Sequence, residues 1–353
     1  MRFLFIILFA ISATASLAQS GRVKPAETPT PKPISGPSVV FMPAKDRPRP
    51  TFPSATPTPV ARKDDDETIT VDSTLVPIPV SVLDASGRAI TNLKLADFEL
   101  KIDGKAAEIS DLSRSETPIR LAMLFDNSSS VMIAREFEIE AALKFFRRVI
   151  RPEKDLAALF SVSTTTELEQ SFTAEITSLT RAIETFPPPV GATALLDGII
   201  QASEYLREVQ GRRVIIIVSD GDDTSSDSSL DDALKSLHLS SCQVYVVKTT
   251  DFENYKRTGS RRGNANIRQL AAERRMIEVT RQTGGSVHSP VDERELDDAF
   301  RQISAELSQQ YILSYYPEKD TEKRGEFREI TLSVKGGQGL TVRTRKGYYV
   351  PKQ

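Results

Sequence analysis

The sequence predicts an α/β fold: a doubly wound, mainly parallel sheet with helices on both faces, flanked by a small β-sandwich. Three observations carry this expectation. Two apolar runs, residues 121–125 and 214–218, lack polar alternation, the pattern of strands buried on both faces of a parallel sheet. Each run leads within two residues to an aspartate, Asp126 or Asp220. Between and after them, strand-like and helix-like segments alternate. Before residue 117 and after residue 310, the pattern changes to short runs rich in Val, Ile, Thr and Tyr, punctuated by turn residues.

Composition sets the outer limits. A chain of 353 residues has room for about two domains of roughly 100–200 residues each. Hydrophobic residues make up 39% and charged residues 27%, as in a globular protein with some polar, extended sequence. A formal net charge of −2 argues against nucleic acid as the main partner, which needs a basic excess. Cys242 is the one cysteine, which excludes an intramolecular disulfide framework and any multi-cysteine zinc site. His238 and His288, the two histidines, leave little material for a His-based metal site or a Ser-His-Asp triad.

In chain order, residues 1–18 have the form of a secretory signal. Arg2 supplies the positive start, Phe3 to Ala10 the apolar segment, and Ser16-Leu17-Ala18 the small residues of a cleavage site. The apolar run is shorter than the ~20 residues of a spanning helix, and retention as an anchor is the alternative. Residues 19–66 form a linker with eleven prolines between Pro25 and Pro59, a composition that favours extended polyproline II and builds no core. Residues 67–116 are expected to be a β domain. Pro77 and Pro79 hold at least part of its first strand to a sheet edge, residues 83–88 turn, and Asp103-Gly104 signals a hairpin leading into a strand over 106–112. Residues 117–310 alternate: strands at 119–125, 156–162, 214–218, 242–248 and 286–288, with a possible antiparallel edge at 167–172. Helices are expected at 134–150, 176–186, 194–209, 230–239, 265–283 and 294–310. Residues 251–266, with Lys256, Arg257, Arg261 and Arg262, read as a solvated loop. Residues 311–353 supply further strands at 311–317, 327–334 and 340–345, the last two separated by a Gly336-Gly337 turn.

The candidate site lies where the first buried strand ends. Asp126, Ser128 and Ser130 sit on the loop beyond its carboxyl end, the edge at which open α/β sheets bind ligands. Thr193, in Gly191-Ala192-Thr193-Ala194, opens a helix, and Asp220 follows another buried strand. Such a set offers hard oxygen atoms only, which suits Mg²⁺ or Mn²⁺ rather than zinc or copper. The competing role for Ser129, Ser130 and Thr193 is helix capping. Asp222 to Asp227 reads as an acidic rim, without the late glutamate of an EF-hand.

Asp126-x-Ser128-x-Ser130, the Gly191–Gly198 segment and Ser219-Asp220-Gly221, in this order and on these element types, resemble the von Willebrand factor A domain family and its metal-ion-dependent adhesion site. The resemblance covers roughly residues 117–310 and implies a Rossmann-like fold. It implies metal-site roles for Asp126, Ser128, Ser130, Thr193 and Asp220. Ser128, Ser130 and one of Thr193 or Asp220 would bind Mg²⁺ directly, Asp126 directly or through water, and one position would stay open for a partner's carboxylate. Ser129 stands where the family usually has glycine, so this loop has less backbone freedom. The flanking β segments and the aromatic tail resemble a subgroup of exported bacterial proteins of this family, well represented in acidobacteria, in which the flanking strands combine into one sandwich.

The expected function is therefore an exported, periplasmic or extracellular module that binds a protein ligand through its acidic residue, and not an enzyme. A metal-dependent hydrolase or phosphatase is the alternative. A phosphatase of the aspartate type needs a second aspartate where Ser128 stands, and no histidine lies near these loops in sequence. A structural envelope protein with a vestigial site is the third reading.

Overall fold

A computed structural model describes residues 75–114, 116–129, 135–260, 266–317 and 324–350. The expected signal, the linker and Ser130 lie outside these residues. All described residues belong to one unit, Ile69–Gln353.

The chain enters through β1 (Val76–Leu83), β2 (Phe98–Ile102), β3 (Lys105–Ala107) and β4 (Asp111–Arg114). It continues through β5 (Ile119–Asp126), α1 (Arg135–Val149), β6 (Leu156–Val162), β7 (Thr166–Thr173), α2 (Ile176–Glu184), α3 (Leu195–Arg207) and β8 (Arg212–Ser219). Then come α4 (Leu230–Leu239), β9 (Gln243–Lys248), α5 (Thr250–Thr258), α6 (Ile267–Thr283), β10 (Val287–His288) and α7 (Glu293–Gln309). The last strands are β11 (Tyr311–Tyr315), β12 (Phe327–Val334), β13 (Thr341–Arg343) and β14 (Gly347–Tyr349).

The central sheet runs β10-β9-β8-β5-β6-β7 and is parallel except for β7, which pairs antiparallel with β6 at one edge. β5 sits between β8 and β6, and its two faces serve two cores. Leu121, Met123 and Phe125 pack among α1, α2 and α7, while Ala122 and Leu124 pack among α3, α4 and α6. This is why the run shows no polar alternation: both sides of the strand are out of water. No helix among the described residues is long and apolar enough to cross a membrane.

The two ends of the chain fold together. β1, β4, β11 and β13 form one antiparallel sheet in the order β13-β1-β11-β4, and β2, β3, β12 and β14 form another in the order β14-β12-β2-β3. Their inner faces share a core that includes Ile78, Val80, Phe98, Leu100, Tyr311, Leu313, Ile330 and Tyr348. Asp103 and Gly104, both at positive φ (48° and 77°), close the tight β2–β3 hairpin.

Pro77 and Pro79 behave as their chemistry demands. β11 pairs with Val76–Val80, whereas β13 begins pairing only at Ser81. On that open side the proline carbonyls accept from side chains, Pro77 from Arg345 Nη2 (2.8 Å) and Pro79 from Thr344 Oγ1 (2.9 Å). The missing N–H groups therefore break no ladder.

Three local expectations need correction. The strand expected over 106–112 is two short strands in different sheets, β3 and β4, because the chain crosses the sandwich between them. The Gly336-Gly337 turn likewise carries the chain from one sheet to the other and does not close a hairpin. Residues 251–258, expected as loop, are helical: α5 buries Phe252 and ends at Gly259, in the left-handed conformation (φ 69°) that a helix stop favours. Within the expected basic insertion, Arg261 and Arg262 lie outside the described residues.

Candidate metal centre

The carboxyl ends of β5 and β8 are adjacent in the sheet, which brings their following loops side by side. Asp126 ends β5 and is 1% exposed. Its Oδ1 accepts from the Ser128 amide (2.9 Å), and its Oδ2 accepts from the Ser219 hydroxyl (2.5 Å). The Ser128 hydroxyl also bonds to this carboxylate. Asp220, half-buried, stands close enough for its charge to act on Asp126. Burial first, and then the Asp220 charge, push the Asp126 carboxyl up to about 6 in spite of the hydrogen bonds it accepts.

The loops are tied to one another by hydrogen bonds of backbone and hydroxyl groups. Val190 N donates to Asn127 O (2.9 Å), and Ser129 Oγ donates to Gly191 O (3.1 Å). Thr224 N donates to Thr193 O (2.8 Å), while Thr193 N donates to the Thr224 hydroxyl (3.0 Å). Gly191 is at φ 86°, with Thr164 Oγ1 only 2.6 Å from where a Cβ would stand, so this turn admits no side chain without displacement.

Thr193 is 3% exposed and does not cap α3. The N-cap position belongs to Ala194, which makes no side-chain cap, and the first amides of the helix are satisfied from another loop. Leu196 N and Asp197 N donate to the Ser226 hydroxyl (3.1 and 3.2 Å). Leu196 N also reaches Asp223 Oδ2 (3.4 Å). The Asp222–Asp227 stretch is thus a staple as well as a rim: Asp223 Oδ1 accepts from Ser226 N, and Asp197 accepts from Asp227 N and Ser228 N.

Sequence reasoning assigned no role to Ser219, Ser226 or Arg135. Ser219 reads as the last residue of an apolar strand, and only its place beside Asp220 hinted at the site. Arg135 opens α1, donates from Nη1 to Asp126 O (3.0 Å), and lies over the rings of Phe125 and Phe186 (4.8 and 5.0 Å to the centroids). It fixes the backbone under the loop from below.

The structure brings Asp126, Ser128, Thr193 and Asp220 to one edge of the sheet, while Ser130 lies outside the described residues. Among the described residues no three acidic, histidine or cysteine side chains gather as a metal cluster. The donor set is two carboxylates and two buried hydroxyls, with Asn127 Oδ1 buried beside them and lacking a hydrogen-bond partner among the described residues. An all-oxygen set with excess negative charge fits a hard divalent ion. It is a poorer fit for zinc, whose protein sites are built mainly on histidine nitrogen and cysteine sulfur. Elsewhere, Cys242 is buried and its thiol is pushed up to about 12, as in an inert core position.

Residues 121–291 match the family model of the von Willebrand factor type A domain, and this part of the chain is such a domain. Among solved structures, the PilB minor pilin from Streptococcus sanguinis is similar at 12% identity and a TM-score of 0.43, over 58% of this chain and 64% of that one. This chain therefore spans less than two thirds of that pilin. An aerotolerance-related membrane protein from Bacteroides fragilis is similar at 17% identity and a TM-score of 0.40, over 53% of this chain and 98% of that one. The von Willebrand factor domain of the type V pili tip protein Mfa5 from Porphyromonas gingivalis is similar at 22% identity and a TM-score of 0.29, over 31% and 39%. No curated protein matches the chain.

Proposed function

We propose that the protein is an exported binding module of the adhesion type that recognises a partner protein's carboxylate through Mg²⁺. The observation that carries this reading is the pair Asp126 and Asp220 at the ends of adjacent strands, beside the buried Ser128 and Thr193. Ser128, Thr193 and Asp220, with Ser130, would hold the ion. Asp126, already hydrogen-bonded at both oxygens, would act chiefly by orienting the Ser128 hydroxyl. These residues would hold the ion at the carboxyl edge of the sheet, where it would supply positive charge. With a single carboxylate bound directly, a divalent ion would keep a net positive charge that draws a carboxylate from outside.

Mn²⁺ would serve in place of Mg²⁺. An amino-terminal secretory signal would export the module from the cytoplasm. Calorimetry tests the reading: Mg²⁺ should bind the wild type with an affinity that falls at least about tenfold in Asp126→Ala. Equal affinities in the two proteins would refute it. The partner is sought by capture from the native cell envelope with and without a chelator, and a ligand held equally well in both fails the metal requirement.

A further inference from the structure

Behind the loops, a second group of oxygen atoms is left over. Glu138, in the first turn of α1, is 1% exposed, and neither of its carboxylate oxygens has a hydrogen-bond partner among the described residues. The rings of Phe137 and Phe252 meet with centroids 5.8 Å apart, which presses the first turn of α1 onto the first turn of α5. Glu138 and Glu253, the next residue of each, share that seam; among charges, Glu253 acts most strongly on Glu138, while Glu253 itself feels first Asp220 and then Asp126 of the loop site. Glu253 Oε1 is also buried and unpartnered.

The independent observation is Thr249, which links β9 to α5. It is 1% exposed, its hydroxyl makes no hydrogen bond among the described residues, and it is the side-chain donor that approaches Glu138 without reaching bonding geometry. The seam therefore collects four hard oxygen atoms from three residues and no nitrogen or sulfur ligand.

The cations near the seam are already engaged: Lys256 lies over the rings of Phe137 and Phe252 (4.1 and 5.4 Å to the centroids) but pairs with Glu293. Arg135 acts on Glu138, but the same guanidinium serves Asp126 and Glu169, and it is anchored on the Asp126 carbonyl. Arg257 acts on Glu253 from an exposed position. A single proton would neutralise one carboxylate and leave the remaining oxygens unmatched. A hard cation takes up all of them at once and tolerates an irregular shell completed by water.

We infer that Glu138, Glu253 and Thr249 form an inner cation site, for a second ion of the Ca²⁺ or Mg²⁺ class, behind the loop site. The test is a Mn²⁺ titration of the full, metal-free chain, with free ion counted by electron paramagnetic resonance. Two ions per chain are expected, with one in Glu138→Gln and one in Asp126→Ala. A single ion that is lost in Asp126→Ala and kept in Glu138→Gln overturns the inner site and leaves the loop site standing. A single ion lost in Glu138→Gln and kept in Asp126→Ala upholds the inner site and removes the loop reading. If Glu138→Gln does not fold, Thr249→Val removes the hydroxyl at nearly constant volume and should weaken the inner ion about tenfold or more; unchanged affinity overturns the proposal. A more heat-stable Glu138→Gln with an unchanged ion count would mark a carboxyl held neutral by a proton, and overturns it equally.

Discussion

Both oxygens of Asp126 are engaged, Oδ1 by Ser128 and Oδ2 by the Ser219 hydroxyl at 2.5 Å. A carboxylate so engaged is fixed in orientation, and its partners matter to any ion beside it. Ser219→Ala should therefore lower Mg²⁺ affinity roughly tenfold while leaving the fold intact, as calorimetry and circular dichroism would show. The same residue predicts a pH effect. The Asp126 carboxyl is raised from the ordinary carboxylate range to about 6 and that of Glu253 to about 8, in both cases first by burial. A raised acid contributes stability that is fully present below its unfolded pKa and lost as pH rises through its folded pKa. Metal-free wild type should thus lose melting temperature between pH 4 and 8 relative to Asp126→Asn and Glu253→Gln, and saturating Mg²⁺ should restore it at the alkaline end. Parallel melting curves across that range would contradict the assignment. Asp126, Ser128 and Asp220 drew attention by their types and their places after buried runs, and Thr193 by its place at the opening of a helix. Ser219 was not, because its hydroxyl acts across to a different strand and leaves no local pattern.

At the scale of elements, α3 shows how the site is held. The helix opens without a cap of its own, and Ser226, from the loop after β8, takes two of its first amides. That arrangement releases Thr193 from capping and links the second and third loops of the site. Ser226→Ala should cost about 1 kcal/mol, the usual value of a lost cap, measured by urea unfolding, and should loosen Mg²⁺ binding as well. A purely local cap would give the first effect without the second. Gly285 is a second such point: a Cβ there would lie 1.8 Å from Val244 O, between α6 and β9. Gly285→Ala should destabilise the protein by roughly 3 kcal/mol, since backbone has to move to admit it. Long periodic helices and unbroken apolar strands were readable because burial is written into every residue. α5 was not, because its polar stretch hangs on one buried anchor, Phe252, and a single apolar residue has no period.

At the scale of the molecule, the chain's two ends form one sandwich, and α7 runs directly into its β11. The sequence showed strands at both ends, but which pair with which depends on contacts more than two hundred residues apart, such as Gln310 with Ser81. That residue sits at the junction, 1% exposed. The two hydrogens of its Nε2 are shared among Ser81 Oγ (2.8 Å), Gln243 Oε1 (3.1 Å) and Tyr245 OH (3.1 Å), and its Oε1 accepts from Arg212 Nη2. Tyr245 in turn reaches Glu306, which Arg343 of β13 also holds. One amide thus joins β1 of the sandwich to β8 and β9 of the central sheet. A buried network of this kind is costly to leave half satisfied. Gln310→Ala strips several buried groups of their partner at once and should destabilise the protein by roughly 2–4 kcal/mol. The more telling outcome concerns cooperativity. In the wild type, amides of β1 and β11 should exchange hydrogen through the same opening as those of β8, with equal free energies at rising denaturant. In Gln310→Ala the sandwich amides should exchange at lower denaturant than the β8 amides, because the two layers no longer share their polar joint. If both sets shift together by the same amount, the junction is held by apolar packing and the network adds stability without coupling the sandwich to the sheet that carries the metal loops.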